Sequence, residues 1–221
     1  VYGGPHLQLV SNSHLAGASL WMMAVAERGY LVWSVDGHGT PSRRHEFEQA
    51  IHRRLGEVEV KDQVRGVEYL KSLPFVDGSR IAVHGWSFGG HMTTALLTRN
   101  PGMFKVGVAG GPVMDWSMYE VMYTERYMDQ PKDNTDGYAH SSVFAHLDCM
   151  RSDLLLIHGM ADDNVLFTNS TKLMSSLQER GKPFELMTYP GGKHGLAAPW
   201  MKKHSNNAIV DFFERKLKRP E

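Results

Sequence analysis

Short apolar runs alternate along the chain with longer segments in which apolar residues recur every three or four positions. Runs of about five to seven residues rich in aliphatic and aromatic side chains are too short for most helices and are typical of buried strands. Five segments have this character and are predicted strands: Gly29–Val35, Arg80–His84, Lys105–Ala109, Asp153–His158 and Phe184–Tyr189.

The segments between these runs carry the period of an amphipathic helix. They predict helices at Leu20–Arg28, Val58–Ser72, His91–Thr98, Thr168–Arg180 and Asn206–Leu217. Thr168 is the expected N-terminal cap of its helix, and Gly29 and Gly181 are expected to follow the ends of two helices. Strands that alternate with helices predict an α/β fold in which a mostly parallel sheet carries helices on both faces.

The composition excludes some classes of function but does not identify the function of the chain. The 221 residues suit one α/β domain over residues 1–221, and 24 basic against 24 acidic side chains leave no net charge. A neutral chain lacks the basic footprint of a nucleic-acid binder, and none of its apolar runs is long enough to span a bilayer. The single cysteine, Cys149, excludes an internal disulfide, and we expect neither a metal nor a cofactor.

A candidate nucleophile follows the predicted strand Arg80–His84. The chain reads GWSFG at Gly85–Gly89 and continues into the predicted helix His91–Thr98. A G-x-S-x-G string between a strand and a helix is the nucleophile elbow, in which glycines leave room for a tight turn that exposes the serine. A purely structural glycine turn would carry the same string, so the strand and helix around Ser87 are what favour the catalytic interpretation.

A serine nucleophile needs a base, and the base needs an acid that orients it. In α/β-hydrolases these residues follow one another in the order serine, acid, histidine. The loop after the strand Asp153–His158 offers Asp162 and Asp163, and the loop after Phe184–Tyr189 offers His194. The residues themselves leave the choice between the two aspartates open.

Several strings together resemble the catalytic domain of the prolyl oligopeptidase family of serine peptidases, and within it the dipeptidyl peptidase IV branch. They are Val1–Pro5 (VYGGP), Gly85–Gly90 (GWSFGG), Pro112–Met128 (PVMDWSMYEVMYTERYM), His158–Val165 (HGMADDNV) and Lys193–Gly195. The resemblance implies an α/β-hydrolase fold. It also implies that Ser87 is the nucleophile, Asp162 the orienting acid and His194 the general base.

Three aromatic residues, Trp116, Tyr119 and Tyr123, recur at spacings that place them on one helical face, which taken alone indicates core packing. The resemblance implies instead a pocket for the residue before the scissile bond, lined by Phe88, Val113, Trp116, Tyr119, Tyr123 and Val165. It implies that Asn164 binds a substrate carbonyl. It also implies an oxyanion hole formed by the hydroxyl of Tyr2 and the backbone N–H of Phe88.

From these residues we expect a serine exopeptidase. It would release dipeptides after a penultimate proline or alanine, through an acyl-enzyme, from short peptides with proline near the N-terminus. A prolyl tripeptidyl peptidase, an oligopeptidase or an esterase would use the same three residues. An inactive family member that serves as an interaction module is a further alternative.

The resemblance also implies parts that lie outside this sequence. Relatives carry an N-terminal β-propeller, and an α/β-hydrolase core has strands before the oxyanion tyrosine. We therefore expect the chain to be the carboxyl-terminal portion of a larger protein, lacking its first strands. A homodimer through Phe184–Leu217 is a further expectation, while an extracytoplasmic or periplasmic location and a cytoplasmic one both stay open.

Overall fold

A parallel sheet of four strands forms the centre of the protein in the computed structural model, which describes residues 1–218. The strands are β1 (Ala82–Trp86), β2 (Val106–Gly110), β3 (Asp153–Gly159) and β4 (Glu185–Tyr189). They lie side by side in sequence order, all parallel, so their carboxyl ends meet at one edge of the sheet. Four of the five predicted strands are thereby confirmed, with boundaries that shift by at most two residues.

Eight α-helices accompany the sheet within residues 1–218. They are α1 (Leu20–Ala26), α2 (His45–Gln49), α3 (Val58–Lys71), α4 (Phe88–Arg99), α5 (Val121–Met128), α6 (Thr135–Ser141), α7 (Thr168–Glu179) and α8 (Pro199–Leu217). Short 3-10 helices span His14–Gly17, Trp116–Met118 and Val143–Cys149. None of these helices combines the length and the apolar character that crossing a bilayer requires.

The predicted helices exist, but some of their ends differ. The last helix begins at Pro199 and not at Asn206, because proline fits the first turn of a helix, where its missing N–H costs nothing. Thr168 is the first residue of α7 and not its cap, since Phe167 occupies the cap position without a side-chain hydrogen bond. Gly181 follows the end of α7 with a φ of 62°, as expected of a residue that stops a helix.

The core has two halves, one on each face of the sheet. Successive strand residues point to opposite faces. On β3, Leu154 and Leu156 therefore pack in the cluster that includes buried residues of α3, α4 and α7, while Leu155 and Ile157 pack with Phe212 of α8. The prediction of an α/β sheet with helices on both faces is confirmed.

The predicted strand Gly29–Val35 is wrong. This segment has no regular secondary structure, and Leu31 and Trp33 are 54% and 43% exposed. A cavity of about 370 Å³ is lined by Tyr30–Ser34 and also by the β1 side of the sheet at Ile81–His84. Apolar β-branched residues favour a strand, but a strand forms only where a neighbour pairs with its N–H and C=O groups. Within residues 1–218 no strand lies beside this segment to do so.

Candidate active site

Ser87 is the single residue between the end of β1 at Trp86 and the start of α4 at Phe88. Its φ of 60° and ψ of −118° form a backbone conformation that residues other than glycine rarely adopt. A Cβ on Gly85 would lie 2.2 Å from the carbonyl oxygen of Gly89, and a Cβ on Gly89 would lie 2.3 Å from that of Val1. The prediction that side chains at the two flanking glycines would clash is therefore confirmed.

A line of hydrogen bonds joins three loops at the carboxyl edge of the sheet. The Nε2 atom of His194 lies 2.8 Å from Oγ of Ser87, and its Nδ1 atom lies 2.7 Å from Oδ2 of Asp162. Asp163 lies outside this line, because its exposed carboxylate pairs with Nζ of Lys193 at 2.6 Å. The structure thus brings Ser87, Asp162 and His194 together and leaves Asp163 aside.

The carboxylate of Asp162 is fully buried, and it is nevertheless suited to carry charge. Burial raises its pKa. Hydrogen bonds from His158, from His194 and from the backbone N–H of Asn164 outweigh that effect and hold the pKa well below the ordinary range. A carboxylate that stays ionised can fix the ring of His194 and stabilise the cation that the ring becomes when it accepts a proton.

The residues predicted to line a substrate pocket form an aromatic cluster that adjoins Ser87 through Phe88. Trp116 is its centre, with the Phe88 ring 5.2 Å away and the Tyr123 ring nearly parallel at 6.1 Å. Tyr119 meets Trp116 edge to face at 6.0 Å and donates its hydroxyl to Oδ1 of Asn164 at 2.8 Å. Phe88, Val113, Trp116 and Val165 are buried, whereas Tyr119 and Tyr123 are half-buried and Asn164 is exposed.

The single helical face predicted for the three aromatic residues is wrong. Trp116 lies in the 3-10 helix Trp116–Met118 and Tyr123 in α5, and the chain between them is extended at Tyr119 and Glu120. The side chain of Glu120 accepts the N–H of Tyr123 at 3.0 Å and caps α5, which stops the first helix from running into the second. The rings still meet, but through this break and not along one helix.

Two donors predicted for an oxyanion lie near Ser87. Phe88 is the first residue of α4, where backbone N–H groups have no partner inside the helix. The ring of Tyr2 packs 5.7 Å from the ring of Phe88. Burial raises the pKa of Tyr2, as do the neighbouring Tyr119 and Tyr127, so its hydroxyl keeps the proton that a donor needs.

Two buried histidines that lie near the site were not identified from the sequence. His158 is the second-to-last residue of β3 and contacts Asp162, and His91 meets the rings of Phe88 and Trp116 at 5.8 and 5.0 Å. His91 is four residues after Ser87, a helical spacing that could have pointed to it. With 12 histidines in the chain, neither stood out.

Comparison with known proteins gives one consistent result. The sequence profile of the prolyl oligopeptidase family matches residues 17–220. Human dipeptidyl peptidase 8 is 36% identical over 98% of the chain. Two solved structures also match over 98% of the chain. They are a provisionally assigned dipeptidyl aminopeptidase IV from Bacteroides ovatus (46% identity, TM-score 0.96) and dipeptidyl peptidase 4 of Porphyromonas gingivalis (35%, 0.93). The chain spans 25%, 31% and 30% of the length of these three proteins.

Proposed function

The chain belongs to the prolyl oligopeptidase family, and we propose that it is the α/β-hydrolase catalytic domain of a serine exopeptidase. Its proposed reaction releases an N-terminal dipeptide from short peptides by cleavage after a penultimate proline or alanine. One observation carries this proposal: the hydrogen bonds of 2.8 and 2.7 Å that join Ser87, His194 and Asp162 beside an aromatic pocket. The names of the relatives, dipeptidyl peptidases 8 and 4, support the substrate class.

Acylation starts at Ser87. Its Oγ attacks the carbonyl carbon of the scissile bond while Nε2 of His194 takes the hydroxyl proton. The carbonyl oxygen gains negative charge and is bound by the N–H of Phe88 and the hydroxyl of Tyr2. The C–N bond then breaks as His194 passes its proton to the leaving amine, and the peptide acyl group remains as an ester on Ser87.

Deacylation repeats these steps with water. His194 takes a proton from the water as its oxygen attacks the ester carbonyl, and the proton returns to Oγ of Ser87 when the acid product leaves. Asp162 keeps Nδ1 of His194 protonated, so that Nε2 is the basic atom in both halves of the reaction.

The pocket supports a preference for proline. A proline ring is compact and apolar, so aromatic side chains can bind it without a polar partner, and the half-buried rings of Tyr119 and Tyr123 are the members of the cluster that a substrate can reach. Phe88, Val113, Trp116 and Val165 add buried apolar surface behind them, which would also suit an alanine side chain. The exposed amide of Asn164, oriented by Tyr119, is available to donate to a substrate carbonyl.

Reporter peptides test the proposal. The full-length protein should cleave a Gly-Pro anilide faster than an Ala-Ala-Pro anilide, an N-blocked peptide or a simple ester. The order of these rates separates dipeptidyl from tripeptidyl peptidase, oligopeptidase and esterase. Ser87→Ala should lower kcat by at least about 10⁴-fold. Near-full activity in this variant would refute the assignment, and failure of Ser87 to react with a fluorophosphonate would instead support an inactive interaction module.

The cavity beside β1 supports a further proposal about the whole protein. Tyr30–Ser34 form one wall of the cavity and Ile81–His84 another; β1 is an outer strand of the described sheet, and Tyr30–Ser34 pair with no strand of that sheet. Because the relatives are three to four times longer, we propose that a strand from the rest of the protein fills this cavity and that a β-propeller precedes it. Urea unfolding of the chain with and without its upstream sequence tests this, and equal stability would refute it.

We propose that two copies of the chain associate through the β4 edge of the sheet, opposite β1. In the described sheet β4 is the last strand, and Leu186 on it and Trp200 on α8 are 41% and 63% exposed. Both lie in Phe184–Leu217. Sedimentation should detect a dimer that Trp200→Gln weakens; a monomer at every concentration would exclude it.

A further inference from the structure

His158 makes contacts on both sides of its ring at the carboxyl end of β3. Its side chain is fully buried. Nδ1 lies 2.6 Å from Oγ of Ser170, a buried residue of α7. Nε2 lies 3.1 Å from Oδ2 of Asp162 and 2.9 Å from the carbonyl oxygen of Val165. Phe167 covers the ring edge to face at 5.4 Å.

These partners decide which ring nitrogen of His158 carries the hydrogen that faces Asp162. The carboxylate of Asp162 and the carbonyl of Val165 can only accept hydrogen bonds, so Nε2 must carry a hydrogen. Nδ1 then presents a lone pair, which accepts the hydroxyl hydrogen of Ser170. The other tautomer would aim a lone pair at two acceptor oxygens, so Asp162 and Val165 fix the tautomer, and Ser170 donates to the Nδ1 lone pair that this tautomer leaves.

The contact completes the hydrogen bonding of Asp162. Its Oδ1 accepts the backbone N–H groups of Asn164 and Val165 at 3.0 and 2.9 Å. Its Oδ2 accepts from His194 at 2.7 Å and from His158 at 3.1 Å. Each oxygen of the Asp162 carboxylate therefore accepts two hydrogen bonds. Without His158, Oδ2 would be held by His194 alone.

We propose that His158 is a positioning residue that holds Oδ2 of Asp162 in line with His194, and that Ser170, by donating to Nδ1, holds the ring of His158 in the orientation in which it does so. This inference rests on the proposed function, because it assigns His158 a role in the same hydrogen-bonded set of Ser87, His194 and Asp162. His158 does not reach Ser87 or the pocket, so it acts on the reaction only through Asp162 and through the carbonyl of Val165.

A pair of substitutions tests the N–H of His158 separately from its bulk. His158→Leu fills the space without a donor, whereas His158→Gln keeps an N–H near the position of Nε2. In the full-length protein we expect His158→Leu to lower kcat on a Gly-Pro anilide by about 10- to 100-fold, the effect of losing one hydrogen bond to a charged group. KM should stay within about twofold, and His158→Gln should recover most of the lost kcat.

A purely structural role would give a different pattern. If His158 only supported the fold, its replacement would lower the unfolding temperature and kcat together. Leucine and glutamine variants with the same unfolding temperature would then have the same kcat. The control is His204→Gln, which changes a histidine bonded to Tyr189 on the other side of β4 and should leave kcat unchanged. Wild-type kcat in His158→Leu, or equal losses in His158→Leu and His158→Gln, would overturn the inference.

Ser170→Ala provides the decision if His158→Leu does not fold. Loss of the hydroxyl leaves Nδ1 without its donor and frees the ring of His158 to turn, so kcat should fall several-fold with KM unchanged, and an unchanged kcat would overturn the inference. Ser87→Ala separates this result from the proposed function. If Ser87→Ala is inactive and the His158 and Ser170 variants are normal, only the positioning role fails; if Ser87→Ala is active, the proposed function itself fails.

Discussion

The carbonyl oxygen of Val1 occupies the space that a side chain on Gly89 would need, with only 2.3 Å between that oxygen and a Cβ built on the glycine. The same oxygen lies 2.6 Å from a Cβ built on Gly85. The segment that carries Tyr2 is therefore packed against both glycines that flank Ser87. The turn that carries the proposed nucleophile and the tyrosine proposed as an oxyanion donor therefore depend on one close backbone contact.

Gly89→Ala should destroy this contact. The obstacle is a backbone oxygen that cannot rotate away, so we expect a loss of more than about 3 kcal/mol in the free energy of unfolding and little labelling of Ser87 by a fluorophosphonate. Gly66→Ala is the matched control, because Gly66 also lies in a helix but faces a side-chain methyl of Val35 at 3.1 Å. It should change stability by no more than about 1 kcal/mol. Equal effects of the two substitutions, measured by urea unfolding, would contradict this account.

Asp162→Asn and Asp163→Asn should differ sharply. Asparagine at 162 loses the charge that orients Nδ1 of His194, and kcat should fall about 10⁴-fold. Asp163 pairs with Lys193 at the exposed surface, a contact that contributes little in water, so its variant should keep near wild-type kcat. Steady-state kinetics on one reporter measures both, and a large loss in Asp163→Asn would show that the wrong aspartate has been assigned.

Tyr2→Phe should lower kcat and leave KM nearly unchanged. The hydroxyl is expected to donate to an oxygen that is charged only in the transition state, and removal of one such donor costs about 10²- to 10³-fold. The ring would still pack against Phe88, so the unfolding temperature should not change. A kcat within about twofold of the wild type would mean that the second donor lies elsewhere.

Tyr119→Phe should act mainly on substrate binding. It removes the hydroxyl that donates to Oδ1 of Asn164 at 2.8 Å and lets that amide rotate. Loss of one such hydrogen bond corresponds to an increase in KM of about two- to tenfold. Tyr69→Phe, at an exposed position of α3, should have no effect on KM. Identical KM values in the two variants would argue against a substrate contact at Asn164.

Glu59 should make the protein less stable as the pH rises. Burial raises the pKa of Glu59 to about 8, against the opposing effects of the Gly56 N–H and of Arg99. The unfolded chain loses this proton near an ordinary value of about 4.5, while the folded protein keeps it. Stability is thus highest below about pH 4.5 and is lost progressively until about pH 8.

Glu59→Gln should remove this dependence. The variant should match the wild type near pH 4 and exceed it by up to a few kcal/mol near pH 8, as measured by urea unfolding across the pH range. Glu57→Gln is the control, because Glu57 pairs with Lys61 at the surface and its pKa is lowered. A difference between Glu59→Gln and the wild type that stays constant with pH would contradict a protonated Glu59.

The local pattern of the sequence was enough to predict most of the sheet. The two central strands β2 and β3 are buried on both faces by helices, so each is a nearly continuous apolar run, whereas the outer strands β1 and β4 are only partly buried and mix apolar with polar residues. The glycines around Ser87 and the order serine, aspartate, histidine also follow from the sequence, because a tight strand-to-helix turn and loops after parallel strands impose them.

Only the tertiary structure determines which side chains far apart in the sequence form hydrogen bonds with one another. Ser87 and His194 are 107 residues apart, and nothing local distinguishes Asp162 from Asp163 until one faces His194 and the other Lys193. The same reason explains the failure at Gly29–Val35, where strand propensity is present and a pairing neighbour is not. Composition and periodicity report how a segment is buried, whereas hydrogen-bond partners depend on which segments the fold brings within about 3 Å of one another.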